Sequence, residues 1–209
     1  MKEGQSAYPS TAFRWWMMAF PAFLVSFYAV QLIYSTPPGD ASVKARILPS
    51  ISGWIHIIGG GVAILLGPFQ FIESIRRKSP WVHRWIGRVY VAAIFASGFS
   101  GLQISFRSVA YSIGRYGFAA LAIVWLITMF MGVFTIWNGN ISGHREWMTR
   151  NFSLTYAAVM LRWQLPLLMV SGLTVSAALT ITGFSCWIPN LIFVEWYIGN
   201  RKNRKFAIE

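Results

Sequence analysis

Long apolar segments separated by short polar gaps run along almost the whole chain. A helix needs roughly 20 mostly apolar residues to cross a hydrocarbon core about 30 Å thick. Six segments of this kind predict transmembrane helices at about residues 15–34, 51–75, 84–106, 114–138, 145–170 and 177–199. Because the gaps are too short to hold a folded unit, we expect residues 1–209 to form a single integral membrane domain. The predicted fold class is all-α, a polytopic six-helix transmembrane bundle.

Composition and charge support the same interpretation. Hydrophobic residues make up 56% of the chain and charged residues only 11%, whereas about a quarter of a soluble domain is charged. The formal net charge is +12, but the basic residues lie between apolar segments, where they contact anionic lipid headgroups. We therefore expect a lipid bilayer as the partner and no nucleic acid. A homo-oligomer and a larger membrane complex both stay open.

The distribution of basic residues also predicts the orientation of the helices. If both termini are cytoplasmic, thirteen Lys and Arg residues lie on cytoplasmic segments. The outer segments then hold only four, which are Lys44, Arg46, Arg107 and Arg115. Since an excess of Lys and Arg marks the cytoplasmic side, the pattern predicts a multi-pass protein of the cytoplasmic (inner) membrane, N-in and C-in.

Polar side chains within the apolar segments are candidate functional residues, because charged and strongly polar groups are costly at membrane depth. At 100° per residue, one face of the predicted fifth helix carries His144, Met148, Asn151, Thr155, Ala158 and Arg162. One face of the predicted third helix carries His83, Gly87, Tyr90, Ile94, Ser97 and Gly101. We expect both faces to point into the bundle, so that His83 and His144 face each other at the cytoplasmic rim.

The predicted second helix adds a row of small residues. Gly53, Gly60 and Gly67 recur at seven-residue spacing, and His56 lies near the same face. Such a row provides either a groove for helix packing or space for a flat cofactor. His56 lies toward the outer surface, and Arg162 is near the same level, so these two residues form a candidate outer pair.

Four ordered motifs resemble a known family. They are residues 67–71 (GPFQF), 83–91 (HRWIGRVYV), 144–162 (HREWMTRNFSLTYAAVMLR) and 186–196 (CWIPNLIFVEW). Over about residues 50–198 the chain resembles the predicted bacterial membrane proteins of the domain-of-unknown-function family 2306. The resemblance implies an integral membrane protein of bacterial type with the histidine-arginine motifs as its hallmark. The resemblance does not indicate what activity the protein has or which residues would be catalytic.

The first functional hypothesis is a small redox protein that uses haem b or quinone, with an electron-transfer role. Histidines on facing helices hold haem iron, glycines make room for the macrocycle, and arginines neutralise the propionates. The candidate cofactor-binding residues are His83, His144, Arg84, Arg88, Arg145, Arg150, His56, Gly60 and Arg162.

Two other hypotheses use the same residues. His83 and His144 with Glu195 would supply two imidazoles and a carboxylate to Zn or Fe, although no local metal-binding spacing is present. In the non-enzymatic alternative, a membrane binding, transport or assembly protein, the His and Arg clusters bind anionic headgroups or lock helix ends together. The sequence thus leaves enzymatic and non-enzymatic roles open.

Overall fold

The computed structural model describes residues 11–35 and 41–206, and every regular element in these two stretches is a helix. The α-helices are α1 (Thr11–Tyr34), α2 (Ala41–Ile47), α3 (Ile51–Leu66), α4 (Glu73–Lys78), α5 (Pro80–Ser105), α6 (Ser112–Trp137), α7 (Ile141–Thr155), α8 (Ala157–Val170), α9 (Val175–Ser185) and α10 (Ile188–Phe206). A 3₁₀ turn, Gly67–Phe71, lies between α3 and α4. The predicted all-α class is confirmed for the residues described.

Five segments of the described chain are long and apolar enough to cross a membrane. They are Ala12–Tyr34, Ile51–Phe71, Pro80–Ser105, Ser112–Trp137 and Val175–Arg201. The predicted fifth span, residues 145–170, is instead divided into α7 and α8 at Tyr156. The Thr155 hydroxyl donates to the Asn151 carbonyl at 3.0 Å, and this type of back-bonding bends helices. Neither half alone has the length of a span.

Other differences from the predicted boundaries have local causes. The α3 helix ends at Leu66 because Gly67 and Pro68 begin the 3₁₀ turn, so the span is shorter than predicted. The α5 helix begins earlier than predicted, at Pro80, since proline is favoured at the first helical position. The predicted sixth helix divides before Pro189, which lacks a backbone N–H.

The long helices pack side by side with alternating direction. The α5 helix packs against α3 and α6, and α6 also packs against α7 and α9. The contact between α6 and α9 is close, because a Cβ at Gly183 would lie 2.6 Å from the carbonyl oxygen of Gly114. Large apolar side chains such as Phe27 and Phe130 are exposed on the outside, where lipid replaces water.

The alternating helices give the bundle two distinct ends. We name the end that holds α4 and the first turns of α5 and α7 the basic end, since it carries most of the described Arg and Lys residues. The opposite end holds α2 and the connection between α5 and α6. The polar residues predicted from the sequence divide between these two regions.

Candidate functional site

A cavity of about 260 Å³ lies among the helices in the half of the bundle away from the basic end. This volume is close to the lower limit of the roughly 300–1,000 Å³ that small-molecule sites enclose. The walls are mainly apolar and come from α1, α2, α3, α5, α6, α7, α8 and α9. Three basic residues also line the cavity, Arg46, His56 and Arg162. Among the residues described, no acidic side chain lines it.

His56 is held on the cavity wall by α5. Its Nδ1 lies 2.9 Å from the carbonyl oxygen of Ser97 and 3.2 Å from the Ser97 hydroxyl. The Ser97 hydroxyl in turn donates to the His56 carbonyl at 3.0 Å. Since a carbonyl oxygen only accepts, Nδ1 carries a proton. Gly101 makes room for the ring, because a Cβ there would lie 2.9 Å from His56 Nδ1.

Arg162 reaches the same cavity from α8. Its guanidinium carbon lies 4.6 Å from the centre of the Tyr28 ring on α1, a distance typical of a cation–π contact. Arg162 also lies within electrostatic range of His56. The fold therefore brings His56 and Arg162 together at one cavity, and Gly60, one turn along from His56, lines the same space.

A buried polar network lies beside the cavity, and two of its members, Trp125 and Thr155, line the cavity wall. The Tyr90 hydroxyl on α5 lies 2.9 Å from both Asn151 Oδ1 and Thr155 Oγ1. The Trp125 indole on α6 donates to Thr155 Oγ1 at 2.9 Å. The Asn151 amide donates to the Trp125 carbonyl at 2.9 Å and to the Thr128 hydroxyl at 3.1 Å. These contacts join the predicted polar faces of α5 and α7, and their groups are occupied with one another.

His83 and His144 lie at the basic end, within electrostatic range of each other. His144 Nδ1 donates to the carbonyl oxygen of Gly132 on α6 at 2.8 Å. His83 Nδ1 is buried and has no hydrogen-bond partner among the described residues. The fold thus places the two histidines near each other without a direct hydrogen bond between them.

Two glycines at this end differ in the space beside them. A Cβ at Gly87 would lie 3.5 Å from Gln70 Oε1, an ordinary van der Waals distance, whereas a Cβ at Gly132 would lie only 2.7 Å from the Met148 sulfur. Gly132 therefore allows Met148 to pack closely against α6, while space for a small side chain remains beside Gly87.

The four arginines predicted beside these histidines have different surroundings. Arg84 and Arg145 are exposed. Arg88 is also exposed, and its guanidinium carbon lies 4.9 Å from the centre of the Trp85 ring. All three side chains are therefore accessible from outside the bundle.

Arg150 is paired with Glu195 on α10. Its Nε and Nη2 donate to the two carboxylate oxygens at 2.6 and 2.9 Å, and Glu146 lies 3.8 Å from Nη1. This bidentate pair connects the second half of α7 to α10. Within residues 11–35 and 41–206, no group of three or more His, Cys, Asp or Glu side chains is arranged to hold a metal ion. Glu195, the predicted carboxylate ligand, is instead occupied by Arg150.

Sequence reasoning missed Trp125, Thr128 and Tyr28 as parts of these sites. Trp125 and Thr128 lie in α6, which has no polar stripe to indicate an inward-facing role. Tyr28 lies in the equally apolar α1. No local signal identifies them, because each acquires its role from a residue distant in the sequence.

Comparison with known proteins shows which family the chain belongs to. Neither curated proteins nor solved structures gave a match to the chain. The model of a family described as a predicted membrane protein, DUF2306, matches residues 53–198. This range covers more than half of the chain and includes His56, the buried network, Arg162 and the histidines of the basic end. The chain therefore belongs to the DUF2306 family of predicted membrane proteins.

Proposed function

We propose that this protein is a redox-linked membrane protein that binds a quinone in the cavity between His56 and Arg162. The observation that carries the proposal is a mainly apolar cavity whose wall includes both His56 and Arg162. A quinone combines a flat apolar ring and an apolar tail with two carbonyl oxygens. The apolar walls suit the ring and the first part of the tail, and the Arg162 guanidinium is a donor for a carbonyl oxygen.

The proposal includes six membrane crossings, with α7 and α8 together forming the fifth in order. The two helices are 15 and 14 residues long, and only Tyr156 separates them. With both termini of this bacterial inner-membrane protein in the cytoplasm, the basic end faces inward, in agreement with the distribution of Lys and Arg. Cysteines introduced at exposed Asn138 and Ser171 test this orientation. An impermeant maleimide applied to intact cells should label Ser171→Cys and not Asn138→Cys, and the reverse labelling would contradict it.

The binding experiment uses the purified protein in lipid nanodiscs with a short-chain quinone, decylubiquinone. Because Trp125 lines the cavity, quenching of tryptophan fluorescence should report saturable binding. Arg162→Gln should weaken binding about tenfold, since a charged donor to the ring oxygen becomes a neutral one.

Arg107→Gln is the matched control for this experiment, because Arg107 is exposed at the opposite end and does not line the cavity. It should bind as the wild type does. Unsaturable binding by the wild-type protein, or equal affinity in the wild type and Arg162→Gln, would overturn the proposed site.

Haem held by His83 and His144 is a second candidate, because these imidazoles lie within electrostatic range of each other. Met148 packs tightly against Gly132 on the helix beside His144, whereas His56 lines an open cavity, so the cavity is the better-supported site. The absorption spectrum of the same preparation separates the two candidates. A Soret band at about one haem per chain would favour haem at the basic end, and a colourless, folded protein would reject it.

A further inference from the structure

The hydrogen bonds of His56 indicate which redox form of a quinone the cavity prefers. We infer that the cavity binds the reduced hydroquinone more tightly than the oxidised quinone, because His56 presents a hydrogen-bond acceptor to the ligand. This inference rests on the proposed function and adds to it the chemical form that the site selects.

The first step is the position of the ring proton. Nδ1 donates to the carbonyl oxygen of Ser97, and a carbonyl oxygen cannot donate in return. The Ser97 hydroxyl donates its proton to the His56 carbonyl oxygen, so this hydroxyl does not donate to Nδ1. The two contacts together fix the tautomer of His56 with the proton on Nδ1.

The second step is the charge on the ring. No acidic side chain in the described part of the chain lines the cavity, while Arg162 already places a positive charge near the ring. An imidazolium would therefore be a second buried positive charge with no carboxylate to balance it. A neutral ring with its proton on Nδ1 has a lone pair on Nε2.

The third step is what Nε2 faces. His56 lines the cavity, and its Nδ1 side is turned toward Ser97 and Gly101 on α5. Nε2 has no hydrogen-bond partner among the residues that the structure describes. The acceptor is therefore available to a molecule in the cavity.

The two redox forms differ at this acceptor. A hydroquinone hydroxyl donates a hydrogen bond to Nε2. A quinone carbonyl oxygen cannot do so, because it has no proton and its lone pair would face the lone pair of Nε2. Arg162 cannot supply a preference for the reduced form, because its N–H groups donate to the carbonyl oxygen of a quinone as well as to the hydroxyl oxygen of a hydroquinone. The preference for the reduced form thus depends on His56.

The experiment compares both forms with the wild-type protein in nanodiscs. Decylubiquinone is added in air, and decylubiquinol is added under nitrogen with a reductant that keeps it reduced. Bound and free ligand are separated by gel filtration and measured by chromatography. We expect the hydroquinone to bind about five- to tenfold more tightly, the effect of one additional hydrogen bond.

A variant assigns this preference to His56. The side-chain amide of His56→Gln offers a donor as well as an acceptor, so the ratio of the two affinities should fall to about one. Arg107→Gln should keep the wild-type ratio. Circular dichroism checks that His56→Gln is folded, and if it is not, the ratio in the wild type alone decides.

The outcomes separate the two proposals. Equal binding of both forms by the wild type, or tighter binding of the quinone, would overturn the preference and leave the quinone site standing. An unchanged ratio in folded His56→Gln would also overturn it. Failure of both forms to bind saturably would overturn the proposed function itself.

Discussion

The two histidine regions of this bundle are built alike but differ in what surrounds them. His56 and His144 each donate from Nδ1 to a backbone carbonyl oxygen on a neighbouring helix, at 2.9 and 2.8 Å. The His56 ring lines a cavity of about 260 Å³. Beside His144, in contrast, the Met148 side chain packs tightly against Gly132 of α6. The comparison teaches that a fixed imidazole becomes a candidate binding residue only where the packing leaves space beside it.

The buried network around Asn151 separates the two regions. Tyr90, Asn151 and Thr155 join α5 and α7 between the basic end and the cavity. Each of these residues is at least 95% buried, so their polar groups depend on one another for hydrogen bonds. The network therefore stabilises the bundle between the two histidine regions, and the proposed quinone site lies on the side of the cavity.

The largest expected effect is on the free energy of unfolding, and it should come from Asn151→Ala, which removes the central residue of this network. The substitution deletes three buried side-chain hydrogen bonds, to Tyr90, Trp125 and Thr128, and leaves each of these groups with fewer partners in an apolar interior. We expect the free energy of unfolding to fall by about 2–3 kcal/mol. Unfolding in detergent, followed by circular dichroism, measures this change.

Gln103→Ala is the control for Asn151→Ala, because Gln103 is exposed on α5. Its free energy of unfolding should stay within about 0.5 kcal/mol of the wild-type value. An equally small change in Asn151→Ala would show that the network does not hold the two regions together.

A smaller effect should come from filling the cavity with Ala158→Leu. Ala158 lines the cavity on α8, so the larger side chain occupies part of the space for a ligand. Quinone affinity should fall by about tenfold, which corresponds to about 1.4 kcal/mol of binding free energy. The titration in nanodiscs measures it, and the arrangement of the basic end should not change.

Ala92→Leu is the matched control, since Ala92 is exposed on the outside of α5. It adds the same volume on the lipid side and should bind quinone as the wild type does. Wild-type affinity in folded Ala158→Leu would place the quinone outside the cavity and remove the contrast between the two regions.

The sequence alone predicted the five long apolar segments that the described chain shows, because the length of an apolar segment is a local property. It also predicted that the polar faces of α5 and α7 turn inward, since helical spacing places Tyr90 and Asn151 on those faces. It did not predict the division at Tyr156, which depends on the hydrogen bond within α7 and on the packing around it.

Only the tertiary structure decided where space remains inside the bundle. The cavity takes its walls from helices as distant in the chain as α1 and α9, and no local pattern records how completely their side chains fill the volume between them. The same is true of Arg162, whose partner Tyr28 lies on α1. Local spacing determines which face a residue occupies, whereas packing among distant segments determines whether that face meets a side chain or an open space.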